Sequence, residues 1–270
     1  MKEISSEQQK ELLLEMLKYL DKICRDNNIN YSLIGGSLIG AVRHGGFIPW
    51  DDDIDIIMTK PNYEKFKTIA EKKTGRYRIL KYQQGGKKFS FIKLIDTKTH
   101  LVEKGYDYIK DYGIFVDIFC YFPTSNDKNE QVKHCKDIKR LRSTIICGKF
   151  SLLEKSFKNN VKTILKKVFF VFGGYKILHK RFDKTCNRFA DEKTDYVVSN
   201  WPTYTPKKEI QLAKNLEGYV DIRFEDMNAM AFKGYDGILR NTFGDYMKEP
   251  PKSQQEPRHD TIAWWRDDEK

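Results

Sequence analysis

The stretch Ile34-Gly35-Gly36-Ser37-Leu38-Ile39-Gly40-Ala41-Val42-Arg43-His44-Gly45-Gly46-Phe47-Ile48-Pro49-Trp50-Asp51-Asp52-Asp53-Ile54-Asp55-Ile56 decides how the chain is read. A short strand-like run, Tyr31 to Ile34, enters it and stops at the glycine pair. Ser37 to Val42 is short and apolar, with Ser37 as the expected N-cap, so the economical reading is strand, glycine turn, helix. Pro49 ends a loop, and Asp53 to Met58 alternates carboxylate with Ile before becoming apolar, as a strand leaving a polar rim does. In such a strand Asp53 and Asp55 leave one face and can share a cation, and Asp51 has the same parity.

Working outward, Ser6 and Gln9 read as a capping box that opens an amphipathic helix through Leu13, Leu17, Leu20 and Cys24. Tyr77 to Tyr82 and Lys88 to Ile95 flank a Gln83-Gln84-Gly85-Gly86 turn and predict a hairpin, with a further strand at His100 to Glu103. Gly113 to Tyr121 is apolar, β-branched or aromatic except at Asp117. An unpaired charge buried there would cost several kcal/mol, so Asp117 must be paired, protonated, hydrogen-bonded or metal-bound. From Asp127 to Ala190 the pattern turns helical, with little strand signal. A helix around Gly237 to Thr242 precedes a Pro250-Pro251 stop. The expected organisation is a core over 1–125, a helical basic region over 126–200 and a C-terminal segment over 201–270 that completes the site.

Length and composition narrow the class. The 270 residues allow one large domain or a core with one appendage, and 40% hydrophobic residues are enough for a packed core. The formal charge of +11 favours an anionic partner. Residues 151–190 hold ten Lys/Arg against two acids. Within them Val161, Ile164, Leu165, Val168, Phe169 and Phe172 form a basic amphipathic helix, which reads either as a core-facing helix with solvated lysines or as a segment lying on an anionic membrane. The polar start, the lack of any long apolar run and the five cysteines without a C-x-x-C pair lead to the expectation of a cytoplasmic protein, at the inner face of the membrane if the basic helix docks.

A bare D-x-D is a weak signal. A calcium loop counted from Asp51 needs Gly at its sixth position and Glu at its twelfth, where Ile56 and Asn62 stand, so that reading fails. A glycosyltransferase D-x-D would follow βαβ units that are missing here, and an acidic turn entering a strand is the bland alternative. Two glycines before a helix let backbone N–H groups approach a phosphate, and glycine turn, paired aspartates and a later third aspartate together resemble DNA polymerase β-like nucleotidyltransferases. That resemblance implies an α+β fold with a mixed sheet flanked by helices, and carboxylates that hold Mg²⁺, or Mn²⁺ in its place, against donor phosphates.

The full run from Ile34 to Ile56 closely resembles the signature of the LicD family of phosphocholine transferases, and Gly244-Asp245-Tyr246-Met247, Pro250-Pro251 and His259 resemble its C-terminal block. The resemblance implies CDP-choline as donor and a hydroxyl of a glycan precursor as acceptor, such as teichoic acid or lipopolysaccharide and in some cases lipid-linked, with CMP released. It implies Asp53, Asp55 and Asp117 as the catalytic, metal-holding set, Asp117 serving as ligand or base. Gly35, Gly36 and Ser37 become the phosphate cradle, and Arg43, His44 and His259 the candidate contacts to donor or acceptor, with a helix-end cap the equal reading for His44. Lys93, a cation within Phe91-Ile92-Lys93-Leu94, either touches a phosphate or sits on an edge strand. Trp50, Tyr121 and Trp201 are candidates for a choline cage. The rivals are transfer of ribitol or glycerol phosphate from another CDP-alcohol, and a non-catalytic nucleic-acid binder. The second leaves the carboxylates unexplained, so no nucleic acid is expected.

Overall fold

The structure is a computed structural model that describes residues 2–80, 90–103, 112–150, 174–257 and 261–266, except for the side chains of 146–150. The first helix, α1 (Ser6–Asp26), buries Leu13, Met16, Leu17 and Leu20. Its capping box is formed by Ser5 and Gln8, one residue earlier than the sequence spacing indicates. Both registers offer Ser followed by Gln three residues on, and the packing of the apolar stripe selects between them. Next come β1 (Ser32–Leu33), α2 (Gly35–His44), β2 (Asp55–Thr59) and α3 (Lys60–Ala70). Then follow β3 (Tyr77–Leu80), β4 (Ile92–Asp96), β5 (Thr99–Glu103) and the ten-residue β6 (Phe115–Thr124).

One mixed sheet organises the molecule, in the order β1-β2-β6-β4-β3. The pair β2–β6 is parallel, whereas β1–β2, β6–β4 and β4–β3 are antiparallel. β6 is long enough to meet β4 with its first half and β7 (Tyr196–Ser199) with its second. At that handover the buried Asn200 accepts from the Cys120 N–H and donates to the Ser90 carbonyl. The strand pairing β3–β4 realises the expected hairpin, and its Gln83–Gly86 turn lies outside the described residues. β7 lies near the end of the 126–200 region expected to be helical, beyond the helical pattern that stops at Ala190. Its four residues are too few to show a strand period, and pairing with β6 supplies what local propensity does not.

The helices α4 (Lys128–Phe150) and α5 (Gly174–Cys186) pack against each other; the amphipathic run from Val161 to Phe172 lies outside the described residues. His134 of α4 ties this layer together. Its Nε2–H donates to the Thr185 carbonyl on α5, which leaves Nδ1 to accept from the Thr124 hydroxyl on β6. After a short helix α6 (Pro206–Glu209), β8 (Ile210–Leu212) extends the sheet beyond β7. The hairpin β9 (Tyr219–Phe224)–β10 (Met227–Phe232) packs on α2 and β1, and α7 (Tyr235–Phe243) follows. Finally β11 (Thr261–Trp265) pairs with β5. No helix among the described residues is long and apolar enough to cross a membrane.

Candidate active site

Asp55 opens β2 and is the direct register partner of Asp117 on the parallel β6, while Lys93 on β4 is the partner of Asp117 from the other side. Strand side chains alternate between faces, so these three stand in one row on one face, each about 4.8 Å of strand spacing from the next. β4 lies between β6 and β3, so the edge-strand reading of Lys93 is wrong. Its ammonium is buried, 2.6 Å from the Asp117 carboxylate and over the Phe115 ring. Asp117 is half-buried, and of the four states open to it from sequence the ion pair is present. Removing either member would leave the other charge poorly compensated, at a cost of about 3–5 kcal/mol.

Asp53 is in the loop that leads into β2 and not in the strand itself. There Asp51, Asp52 and Asp53 each offer a carboxylate oxygen, all within 4.8 Å of one another. Asp55 follows at once. Burial, then the neighbouring charges of Asp53 and Asp117, push its carboxyl well above the ordinary range, and the Lys93 ammonium only partly opposes them. Carboxylates gathered this closely, with like charge adding to burial at Asp55, offer the hard oxygen donors that suit Mg²⁺ or Mn²⁺. The donor set therefore fits a divalent cation.

Helix α2 begins at Gly35 with Ile34 as its N-cap, so Ser37 is inside the first turn. The Ser37 hydroxyl accepts from the Asp55 N–H at 2.9 Å and pins the start of β2. A Cβ at Gly36 would strike an Asp51 carboxylate oxygen, so the glycine makes room for a carboxylate at the helix N-terminus. Arg43 donates to the carbonyls of Tyr246 and Lys248 and to His44 Nε2, which joins α2 to the C-terminal block. His44 is the last residue of α2, with Gly45 as the cap. Its imidazole packs edge-on against Trp50, and burial and Arg43 lower its pKa. Tyr121 is buried beside Phe232, and Trp201 packs on Phe91 and Phe119 under Arg142. Among the described residues, Trp50, Tyr121 and Trp201 each make ring contacts with other partners. His259 lies outside the described residues.

Other residues hold the acidic loop in place. Gln9 of α1 donates to the Asp52 carbonyl and Lys10 to the Pro49 carbonyl. From the β9–β10 turn, Glu225 donates its N–H to the Gly45 carbonyl at 2.7 Å and accepts from the Phe47 N–H at 2.8 Å. Glu225 adopts φ +55°, unusual for a side-chain-bearing residue, and a Cβ at Gly46 would strike its carboxylate. An exposed acid in a hairpin turn carries no sequence signal of such a role.

Residues 28–146 match the family model described as LicD/FKTN/FKRP, nucleotidyltransferase domain. The lipopolysaccharide cholinephosphotransferase LicD of Haemophilus influenzae is 31% identical over 269 residues, spanning 96% of this chain and 97% of that protein. A shorter match, 46% over 44 residues, relates 16% of the chain to 9% of the human ribitol 5-phosphate transferase FKRP. An uncharacterised Rickettsia typhi protein is 40% identical over 68 residues, 25% of this chain and 22% of its own. With that full-length likeness and the family-model match, the chain belongs to the LicD family of phosphotransferases.

Proposed function

We propose that the protein transfers phosphocholine from CDP-choline to a hydroxyl of a surface-glycan precursor, such as lipopolysaccharide or teichoic acid, in a core organised like DNA polymerase β-type nucleotidyltransferases. The observation that carries this reading is the row Asp55–Asp117–Lys93 across three strands, with Asp51 to Asp53 clustered in the loop that leads into β2 and their charges felt at Asp55. The full-length likeness to a protein named a cholinephosphotransferase supports the choice of alcohol.

In the reaction the acceptor oxygen bonds to the phosphorus that bears choline, the bond from that phosphorus to the CMP oxygen breaks, and CMP leaves with the electron pair. Asp53, Asp55 and Asp117 would hold a divalent cation, which when bound neutralises charge on the donor phosphates. Lys93 fixes the Asp117 carboxylate, and its buried position keeps that orientation constant. Asp117 is also the candidate acceptor of the hydroxyl proton. Ser37 sets the height of Asp55 above the helix, while Gln9, Lys10 and Glu225 hold the loop that carries Asp51 to Asp53.

A second reading, the same chemistry with ribitol or glycerol phosphate, is supported by the short match to a ribitol 5-phosphate transferase. Incubation with CDP-choline, CDP-ribitol and CDP-glycerol plus Mg²⁺, following CMP release with and without glycan acceptors, tests both. CMP from CDP-choline alone supports the first reading, CMP from another donor the second, and none from any donor contradicts both.

A further inference from the structure

Away from the carboxylates, α4 and α5 enclose an open cleft of about 470 Å³ lined by Asp137, Arg140, Leu141, Arg181, Lys184 and Arg188. Arg188 lies 2.8 Å from one Asp137 oxygen and Arg140 3.3 Å from the other. One carboxylate thus answers four cations, and Arg181 and Lys184 make no ion pair among the described residues. Lys180, Arg181 and Lys184 repeat at helical spacing on α5, with Arg188 one turn further on, so they share a face and repel one another. Such a face is stabilised by an anion from outside the chain. At its other end, one turn before Lys180, stands Ile177, 63% exposed and the most exposed large hydrophobic residue among those described.

A soluble phosphate would satisfy the cations and leave Ile177 in water. A surface that offers phosphates beside hydrocarbon satisfies both. We propose that the α4–α5 face docks on an anionic membrane, with lipid phosphates in the cleft and Ile177 at the acyl boundary. This does not rest on the catalytic reading, because none of these side chains belongs to the acidic row.

The test is sedimentation of the full chain with vesicles of neutral phosphatidylcholine and of phosphatidylcholine mixed with phosphatidylglycerol. The protein is expected to sediment with the anionic vesicles only. Arg181→Gln with Lys184→Gln should weaken that partition about 25-fold, at about fivefold per cation, and Ile177→Ser should weaken it further. The exchange Arg181→Lys with Lys184→Arg should retain it. All three proteins should unfold at the wild-type temperature, since the changed side chains are exposed. Equal recovery with both vesicle types, or undiminished binding by the double Gln variant, would overturn the proposal. So would a cleft that binds inorganic phosphate or duplex DNA while the protein fails to sediment with vesicles.

Discussion

The strand β4 passes two aspartate environments that differ in kind. At its C-terminal end Asp96 is fully buried, gripped by the Arg76 guanidinium through contacts of 2.8–3.1 Å and by the Lys98 N–H. Near its start, Lys93 faces Asp117 and, one strand further, Asp55, with Asp51 to Asp53 beyond. There several carboxylates come together, and their like charges add to burial in raising the Asp55 carboxyl. Asp96 is held as an acid with a purely structural role is held; in the second environment the like-charged neighbours of Asp55 create a repulsion that a divalent cation can relieve.

The largest expected effect breaks this comparison at the crowded end. Asp55→Asn should lower CMP release by about a thousandfold, in the range seen when one electrostatic contact to the reacting group is lost. Thermal unfolding of the metal-free protein should be unchanged or shifted upward, because a carboxyl held uphill by burial and like charges has been neutralised. Asp96→Asn should do the reverse. It leaves Arg76 facing an amide and should cost about 3 kcal/mol in urea unfolding, with turnover per folded molecule within about twofold of wild type.

His134 sharpens the comparison as a buried titratable group with neutral partners only at its ring nitrogens. Burial lowers its folded pKa, so the unfolded chain takes up a proton first as pH falls below about 6.5. Stability should therefore drop from about pH 6.5 downward, by at most about 1.4 kcal/mol per pH unit, until the folded imidazole also titrates. Urea midpoints between pH 7.5 and 5 measure the slope, and His134→Gln should flatten it. The smallest effect concerns the acid that works at a distance. Glu225→Ala should cost about 1 kcal/mol and raise the Mg²⁺ concentration for half-maximal CMP release severalfold. Glu225→Gln, whose amide oxygen still accepts from Phe47, should restore both.

Much of the first sixty residues was legible, because strand, glycine turn and helix follow from local periodicity and the acidic run marks itself. The errors there are small shifts. Ser5 and Ser6 are equivalent as cap chemistry, and Asp53 stays in the loop because Ser37 pins the strand at Asp55. What stayed hidden depends on pairing between distant segments. Lys93 stands out in sequence as a cation in an apolar strand, but its register with Asp117 is a property of the assembled sheet. Glu225 and Asn200 look ordinary in sequence, since their roles arise only where two chain segments meet.

In the proposed reaction Asp53, Asp55 and Asp117 together grip one divalent-cation centre with the donor phosphates. Anomalous scattering from crystals grown with Mn²⁺ and CDP-choline tests it directly. A manganese peak is expected within coordination distance of all three carboxylates and of the donor's phosphate oxygens. A bound donor with manganese absent from that row, or with Asp117 still turned to Lys93 alone, would contradict it.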